Sequence, residues 1–435
     1  MRAAHLRPLP FMGLLAMLAF GCTTSVGADE FDVKAPAPTT NWKRDVLSTS
    51  LDVDLATNHA SAVISVDAST RTGASFQIGD LAIESVRGPQ GPLQYRVANG
   101  QLDVGLQAQK PAEIRVEYGF TRHKKLEGVL ASGTSFTWPY FCGNVFPCKT
   151  EPADGLAFSL DVHGAPAGTN VVFAPSIPAD SPSYMLAWAV GDYTKVELGT
   201  TSAGRKVSVH YLPGEKATAL KGTLHLVSVF DWLEQTYGEY LFGKDVGSVS
   251  AKWGAGAFGG MEHHPLWHVS SDSMGDAETH AHEAAHGWFG DGVRLECWED
   301  LTLSEGTVSY LAARALEATA GASAGAAIWK GYEQELDNVI ATEDRRALPD
   351  TCNEIDVLTD LWNSVPYMKG AFFFRALEAK VGKPALDAAI GKFYRDHKGK
   401  AARMQDLLDT LDTATGFDSK PLADGWLRSL GRPDR

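Results

Sequence analysis

The sequence predicts an α+β protein in which an antiparallel β domain precedes a mainly helical domain. Between about residues 47 and 198, short segments alternate apolar and polar residues, as in SAVISV at 61–66 and EIRVEY at 113–118. Gly, Pro, Asn and Asp separate these segments at short intervals, which is typical of antiparallel strands joined by turns. From about residue 220 the apolar residues recur at helical spacing, so helices are expected to dominate the second half.

The helical pattern is strongest in five stretches, which are 220–237, 276–289, 305–320, 370–380 and 384–397. Alternation returns near 207–212 and 246–251, where we expect two strands among the helices. A chain of 435 residues has room for two or three domains with their own cores.

Composition excludes several classes of protein. The chain has 39 basic and 53 acidic side chains and a formal net charge of -14, which argues against nucleic acid as a partner. A hydrophobic content of 44% with 21% charged residues excludes both a disordered chain and a protein with many membrane spans. A folded protein that acts on other molecules is therefore expected.

The amino terminus has the features of an export signal. Arg2 and Arg7 precede an apolar stretch, 11–20, that is too short for a permanent membrane span. The sequence LAFGC at 18–22 resembles a bacterial lipoprotein signal, so residues 1–21 are expected to be removed and Cys22 to be acylated. An ordinary signal peptide cut nearby is the alternative. We expect an exported protein anchored by lipid in the bacterial envelope, at the outer membrane or the periplasmic face, or otherwise a periplasmic or secreted one.

Four cysteines remain if Cys22 carries lipid, and an even number in an oxidising compartment favours two disulfides. Four cysteines allow three connectivities, which the sequence leaves open. Our preferred pairing is the short-range one, which joins Cys142 to Cys148 and Cys297 to Cys352. A zinc site made of these cysteines is less favoured because no CxxC pair is present.

The strongest chemical motif is HEAAH at residues 282–286. Residues four apart lie on one face of a helix, so His282 and His286 can reach one metal ion, and Glu283 is placed to accept a proton from water. A catalytic zinc needs a third protein ligand, and Glu305 follows His286 after eighteen intervening residues. The alternatives are a solvated polar helix face and a glutamate that stabilises a helix start.

Further motifs occur in order around this pentad. They are GGMEH at 259–263, YMKGA at 367–371, FPC at 146–148 with Glu151-Pro152, and the segments 184–193 and 425–433. Together with HExxH, eighteen residues and Glu, they resemble the gluzincin metallopeptidase family of aminopeptidase N and leukotriene hydrolase. The resemblance covers nearly all of residues 45–435 and is to a short, two-domain bacterial lipoprotein version. It implies an amino-terminal β domain at 45–205 and a thermolysin-like catalytic domain at 206–435, after a spacer at 22–44.

The family resemblance also implies a role for each matching residue. It assigns His282, His286 and Glu305 to one zinc ion, and Glu283 to general base and acid catalysis. Glu262 would bind the α-ammonium of a peptide substrate, beside the substrate-binding residues Gly259, Gly260 and Met261. Tyr367 would donate a hydrogen bond to the oxyanion of the tetrahedral intermediate. The function implied is a zinc aminopeptidase that removes amino-terminal residues from peptides.

This sequence departs from the family pattern at two places. His263 replaces the family's Asn, either to line the substrate groove or to serve as a hydrogen-bonded structural residue. Phe136 and Trp138 occupy positions where relatives carry glutamine or acidic residues that help to hold the ammonium, and a packed loop is the alternative to a binding role. An endopeptidase, or a peptidase for blocked peptides, therefore stays open as a second function, with a non-catalytic peptide-binding lipoprotein as a third.

Three other polar residues near these motifs have ordinary explanations. His280 lies on another helix face from His282 and is expected to support the site or be solvated. Asp291 and Asp300 could orient metal ligands, but a surface position is an equal alternative. The sequence does not indicate the preferred first residue of the substrate or the oligomeric state.

Overall fold

The computed structural model of the protein describes four stretches of the chain, residues 36–138, 140–254, 259–361 and 363–433. The expected signal peptide at 1–21, Cys22 and most of the spacer at 22–44 lie outside the described residues. Among the helices of the described part, none is long and apolar enough to cross a membrane.

The amino-terminal part is built from strands, as the alternating pattern predicts. They are β1 (Val46–Asp54), β2 (His59–Val66), β3 (Ala74–Gln77), β4 (Ala82–Gly88), β5 (Gly91–Pro92), β6 (Tyr95–Ala98), β7 (Gln101–Val104), β8 (Ala112–Gly119), β9 (Gly128–Val129), β10 (Ser135–Phe136), β11 (Leu156–His163), β12 (Asn170–Phe173), β13 (Ser176–Ser181) and β14 (Trp188–Gly191). Seven of them form one sheet in the order β13-β11-β1-β2-β8-β4-β5. Because every second residue of β2 and β11 is buried, one face of this sheet covers the core. The pairing is antiparallel as expected, except that β1 and β11 run parallel.

A second sheet begins the catalytic half. Its strands are β15 (Thr194–Thr200), β16 (Lys206–Tyr211), β17 (Asp245–Ala251), β18 (Gly260–Met261) and β19 (Leu266–Ser270), in the order β15-β16-β17-β19-β18. The strands expected near 207–212 and 246–251 are thus confirmed as β16 and β17. The expected domain division between residues 205 and 206 lies in the β15–β16 hairpin. Because these two strands share a sheet, we propose a division just before β15.

The helices follow this sheet. They are α1 (Lys216–Gly222), α2 (Leu226–Tyr237), α3 (Ala277–Ala285), α4 (Thr307–Ala320), α5 (Ala322–Glu343), α6 (Val357–Asp360), α7 (Val365–Val381), α8 (Lys383–His397), α9 (Met404–Thr415) and α10 (Lys420–Trp426), with β20 (Arg294–Leu295) and β21 (Ala401–Ala402) pairing between them. The predicted helix at 220–237 is divided between α1 and α2. The other four predicted stretches correspond to α3, α4, α7 and α8.

Both disulfides of the preferred pairing are confirmed, since Cys142 is bonded to Cys148 and Cys297 to Cys352. The second disulfide joins the segment before α4 to the loop that follows α5. Glu299 strengthens this connection, because its carboxylate accepts hydrogen bonds from the backbone N–H groups of Glu354 and Ile355. The chain on either side of α4 and α5 is therefore held together beside the predicted metal ligand Glu305.

The two halves of the molecule are joined by buried hydrogen-bond donors of the catalytic half. The guanidinium of Arg294 donates to the backbone carbonyls of Ala153 and Asp180, and the indole of Trp298 donates to the carbonyl of Thr150. Both donor side chains are buried, so these bonds supply partners to polar groups that water reaches poorly. These bonds fix the β domain against the part of the chain that leads to Glu305.

Candidate active site and metal centre

Helix α3 places both histidines of the HEAAH motif on one side. Asp276 caps the helix by accepting a hydrogen bond from the N–H of Glu278. The rings of His282 and His286 lie four residues apart with centroids 4.9 Å from each other. His286 Nδ1 is 3.1 Å from the carbonyl oxygen of Phe289, so Nδ1 carries the proton and Nε2 is left as a ligand atom.

The third predicted ligand, Glu305, comes from a π-helical turn at Thr302–Gly306 that leads into α4. Its Oε2 lies 3.1 Å from His282 Nε2 and 3.4 Å from His286 Nε2. The three candidate ligand atoms lie within 4.8 Å of one another, and the two imidazoles and one carboxylate form a donor set that zinc prefers. The residues present therefore fit a zinc ion. Ligand-type atoms of Cys297, Glu299 and Cys352 also lie within 4.8 Å of one another, but the two cysteine sulfurs are joined in a disulfide.

The electrostatics of this centre favour a cation. Burial alone would raise the pKa of Glu305, but His286 and the hydrogen bond from His282 outweigh it and lower that pKa to about 2. Burial opposes the charged form of both histidines, yet Glu305 raises the pKa of each above its ordinary value. Burial, opposed by His286, raises the pKa of Glu262. Several carboxylates that are close together and shielded from water destabilise the folded protein unless a positive charge compensates them.

Glu283 lies beside the three ligands without belonging to them. Its side chain is 5% exposed, and burial raises the pKa of its carboxyl to about 8. Its Oε2 is buried with no hydrogen-bond partner among the described residues, so this oxygen can accept a proton or a hydrogen bond from a molecule in the site. Its backbone carbonyl accepts a hydrogen bond from His264 Nε2 at 2.7 Å, which fixes the helix at this position.

The strand β18 forms the opposite wall of the site. A Cβ atom on Gly260 would lie 2.3 Å from Glu283 Oε1, so only glycine allows the strand and the Glu283 side chain to approach this closely. Glu262 follows directly after β18, is 6% exposed, and belongs with Glu283 and His286 to a second group of closely spaced ligand-type atoms. A carboxylate that the metal centre does not use is therefore held within reach of it.

Tyr367 reaches the site from the first turn of α7. Its ring lies nearly parallel to that of His282, with 5.9 Å between the centroids. Gly370, one turn further along, packs on Gly306, because a Cβ atom on Gly370 would lie 2.5 Å from the Cα of Gly306. This contact brings α7 against the turn that carries Glu305. Burial, followed by the charge of Glu305, raises the pKa of Tyr367 well above its ordinary value, so its hydroxyl keeps its proton.

All the predicted site residues line one cavity of about 370 Å³, namely Gly259, Gly260, Met261, Glu262, His282, Glu283, His286, Glu305 and Tyr367. The cavity also has wall residues that sequence reasoning missed, namely Glu278, Thr279, Ser309, Tyr332, Asn363, Ser364 and Met368. Glu278 is one turn before His282, and helical spacing could have indicated it. Tyr332, which hydrogen-bonds Glu278, comes from α5 and had no sequence signal.

The histidines outside the HEAAH pair make structural hydrogen bonds. His263 is buried and contacts the carbonyl oxygen of Thr137 and the ring of His268. His264 lies between the hydroxyl of Tyr240 and the carbonyl of Glu283. His280 bonds Ser248 and the carbonyl of Met274, which agrees with its expected exclusion from the ligand set. The structural alternative is therefore the one supported for His263.

The aromatic substitutions do not line the cavity. Phe136 is fully buried, and its ring packs edge-on against Trp253 at 4.8 Å and against Trp138 at 5.8 Å. The indole N–H of Trp138 donates to the carbonyl of Leu126. These residues therefore form a packed loop between the two halves, as the alternative interpretation expected.

Neither aspartate near the ligands is at the surface. Asp300 accepts hydrogen bonds from Arg403 and from the backbone N–H of Met404, so it fixes the start of α9. Asp291 is completely buried, and neither of its carboxylate oxygens has a hydrogen-bond partner among the described residues. Burial, followed by the charge of Glu262, raises its pKa well above the ordinary value.

Two histidines from one helix, a glutamate from the next and a free glutamate beside them define a metal centre of the gluzincin type. Comparison with known proteins agrees with this type. Residues 263–426 match the model of the peptidase family M1 domain. That family implies one catalytic zinc ion, for which the ligand set above is suited.

Curated relatives resemble this chain in sequence, and solved structures resemble it in fold. Glutamyl aminopeptidase of Rattus norvegicus is 26% identical over 279 residues, 60% of this chain and 29% of the relative, and aminopeptidase N of Streptomyces lividans is 32% identical over 161 residues, 36% of this chain and 18% of the relative. The chain thus spans less than a third of the length of each of these two curated relatives. The M1 zinc metallopeptidase from Deinococcus radiodurans has a TM-score of 0.74 at 20% identity, over 90% of this chain and 96% of that one. Yeast LTA4 hydrolase has a TM-score of 0.75 at 19% identity, over 90% and 69%. The two-domain α+β fold predicted from the sequence is thereby confirmed.

The close contact at Gly260 yields a test of the site geometry. In Gly260→Ala the new methyl group displaces the Glu283 carboxylate, and a shift of about 1 Å in a catalytic group can cost about 100-fold in rate. We expect peptidase turnover to fall by that order while zinc content stays near that of the parent. Gly259→Ala is the matched control, since its nearest neighbour would be Thr279 Cγ2 at an ordinary 3.5 Å. Equal losses in the two variants would contradict the contact with Glu283.

Proposed function

We propose that this protein is a zinc-dependent aminopeptidase that removes amino-terminal residues from peptides. The observation that carries the proposal is Glu262, a buried carboxylate outside the ligand set that lines the same cavity as the predicted ligands and Glu283. The glutamyl aminopeptidases and aminopeptidase N among its relatives support it. So does the structural similarity to a Deinococcus radiodurans peptidase bound to a Tyr-Ser-Ala substrate.

His282, His286 and Glu305 would hold the zinc ion. When bound, zinc polarises a carbonyl group and lowers the pKa of water. The protein contributes the orientation of these ligands, through the hydrogen bond of His286 Nδ1 with Phe289 and through the packing of the turn at Thr302–Gly306 on α7. Such supporting contacts fix the ring orientation and tautomer of a ligand.

Glu283 acts as the proton carrier of the reaction. Its Oε2 is free of protein partners among the described residues and accepts a proton from the attacking water. The same carboxyl group then gives this proton to the leaving amine, so the proton taken at the first step is returned at the second. Burial favours the protonated form of the carboxyl between the two steps, because it raises the pKa of Glu283.

Tyr367 stabilises the charge that develops on the substrate. Its hydroxyl keeps a proton because burial and Glu305 raise its pKa, and it is therefore a hydrogen-bond donor. A donor already held in place is effective towards an oxyanion because little reorganisation is needed during the reaction. The stacking on His282 and the Gly306–Gly370 contact hold it in place.

Glu262 binds the free amino terminus of the substrate. A carboxylate and an ammonium group form a charge-assisted hydrogen bond, which is stronger when both are shielded from water. Because Glu262 is fixed next to β18, it can accept only a substrate whose ammonium lies one residue from the scissile bond. The alternative of a peptidase for blocked peptides depended on Phe136 and Trp138 in the ammonium site, and Phe136 packs outside the cavity.

We further propose that the protein is exported and carries lipid on Cys22. The support is the LAFGC sequence at residues 18–22 after a short apolar stretch, and the spacer that follows it. A lipid at this position would place the catalytic domain at a membrane surface, with peptides as its partners.

Replacement of Glu283 tests the chemistry. Glu283→Gln keeps the size of the side chain but cannot accept the proton, so we expect kcat for amino-acyl amides to fall by about 10³-fold. Zinc content should not change, because Glu283 is not a predicted ligand. Glu296→Gln, at an exposed glutamate that does not line the cavity, is the control and should keep the turnover. Equal hydrolysis by parent and Glu283→Gln, with zinc bound, would refute the mechanism and leave a peptide-binding protein.

Replacement of Glu262 tests the specificity. In Glu262→Gln the charge is lost, and the loss of a charge-assisted hydrogen bond of about 1.5–3 kcal/mol raises KM for amino-acyl amides by about 10- to 100-fold. The rate ratio between these substrates and their acetylated counterparts should fall by the same factor. Met261→Leu is the neighbouring control and should keep the ratio. If the parent cleaves acetylated substrates as well as free ones, the exopeptidase assignment is wrong.

Replacement of Cys22 tests the anchor. The parent protein, expressed in bacteria fed an alkyne-labelled fatty acid, should carry the label and enter the detergent phase on phase separation. Cys22→Ser should lose both properties, because acylation requires the thiol. A parent protein that stays unlabelled and in the aqueous phase would show an ordinary exported protein instead.

A further inference from the structure

The side chain of His263 connects the wall of the active site to the β domain. Its Nε2 lies 2.6 Å from the backbone carbonyl oxygen of Thr137. A carbonyl oxygen only accepts hydrogen bonds, so Nε2 carries the proton. Its Nδ1 lies 3.2 Å from His268 Nδ1 and is therefore the acceptor in that contact. The ring is 2% exposed, and burial lowers its pKa to about 4, which keeps it neutral at physiological pH.

Thr137 is itself a fixed point of the β domain. Its hydroxyl lies 2.7 Å from the carbonyl oxygen of Tyr184 and 2.8 Å from that of Leu186, and its side chain is fully buried. This fixed unit of the β domain thus contacts His263, the residue that directly follows Glu262.

Backbone hydrogen bonds around Glu262 connect this residue to the contact between His263 and Thr137. The N–H of His263 donates to the carbonyl of Met261 at 2.8 Å, and the N–H of His264 donates to that of Glu262 at 2.7 Å. Met261 pairs with His268 across β18 and β19. The residue that holds His263 Nδ1 is therefore also the strand partner of the residue before Glu262, so movement of the His263 ring would displace the strand end that carries Glu262.

The other groups of the site come from different elements. His282, Glu283 and His286 belong to α3 or its end, Glu305 to the turn before α4, and Tyr367 to α7. The metal ligands and the proton carrier are thus held within the helical half, whereas Glu262 stands on a strand edge that contacts the β domain.

We propose that the β domain sets the position of the ammonium-binding carboxylate Glu262 through the Thr137–His263–His268 contacts. Thr137 and His263 are positioning residues in this scheme. The proposal rests on the proposed aminopeptidase function and adds that selectivity for a free amino terminus depends on the docked β domain.

A positioning role through Glu262 has a specific kinetic signature. The ammonium is bound in the ground state and in the transition state alike, so its loss changes KM and leaves kcat largely unchanged. A general loosening of the site would instead reduce kcat and zinc binding, because those depend on the helical half.

Four variants test the proposal in the zinc-loaded, full-length protein. His263→Phe keeps a ring of similar size but removes both nitrogens, and Thr137→Val removes only the hydroxyl that fixes Thr137 within the β domain. His263→Gln is the rescue variant, since its amide N–H can donate to Thr137 as Nε2–H does. Tyr193→Phe is the control, because Tyr193 also donates to a backbone carbonyl of the second sheet, at Ser250, but does not touch residues 262 or 263.

We expect His263→Phe to raise KM for amino-acyl amides about tenfold, and Thr137→Val to raise it in the same direction, with kcat within about threefold of the parent and zinc content unchanged. The preference over acetylated amides should fall by the same tenfold, and His263→Gln should recover most of it. An unchanged preference in folded His263→Phe, or an equal shift in Tyr193→Phe, would overturn the proposal. If His263→Phe does not fold, Thr137→Val decides in the same way.

A binding measurement separates this proposal from the proposed function. In a Glu283→Gln background, calorimetry gives the affinities for alanine amide and acetyl-alanine amide without turnover. A tenfold loss of discrimination on His263→Phe supports the positioning role even if the parent hydrolyses neither amide, a result that would refute the peptidase function alone. Retained discrimination overturns the positioning role whatever the parent hydrolyses.

Discussion

The burial of several carboxylates around two imidazoles is the constraint on which the rest of this structure depends. Glu262, Glu283 and Glu305 are each no more than 6% exposed, and Asp291 is completely buried behind them. Charges removed from water in this way are unfavourable unless opposite charges and hydrogen bonds compensate them. Within the protein, His282 and His286 compensate Glu305, which is why its pKa is low while burial raises those of Glu262 and Glu283. A divalent cation at the three ligands would supply the remaining compensation.

Such a cluster can be assembled only if the backbone approaches closely from several directions. Three glycines make this possible. Gly260 lets strand β18 lie against Glu283, and the contact of Gly306 with Gly370 lets α7 lie against the turn that carries Glu305. A methyl group at any of the three would enter space that another residue occupies. These positions account physically for two of the family motifs, GGMEH and YMKGA, since each motif joins a functional side chain to the glycine that allows its approach.

The local parts of this site could be predicted from the sequence, because helical spacing alone places His282 next to His286. Glu305 and Tyr367 required the family resemblance, since their distance from the pentad along the chain indicates nothing about distance in space. Tyr332 was missed as a contact of the site for the same reason, because α5 brings it in by tertiary packing. The resemblance implies a domain division between residues 205 and 206, and the paired strands β15 and β16 lie on either side of that point. Periodicity shows where strands occur, whereas the sheet that a strand joins depends on contacts far apart in the chain.

Several hydrogen bonds between the two halves depend on the backbone of the β domain and not on its side chains. Arg294, Trp298 and His263 all donate from the catalytic half to backbone carbonyls of the β domain, at Ala153 and Asp180, Thr150 and Thr137 respectively. A backbone carbonyl is present whatever side chain stands at its position, so these bonds do not depend on the identity of the β-domain residue. The loop that carries Phe136 and Trp138 can therefore differ from the family pattern without losing the carbonyl of Thr137 that holds His263. Replacement of the family's Asn by His at position 263 is consistent with this arrangement, because the longer ring reaches that carbonyl and His268 at the same time.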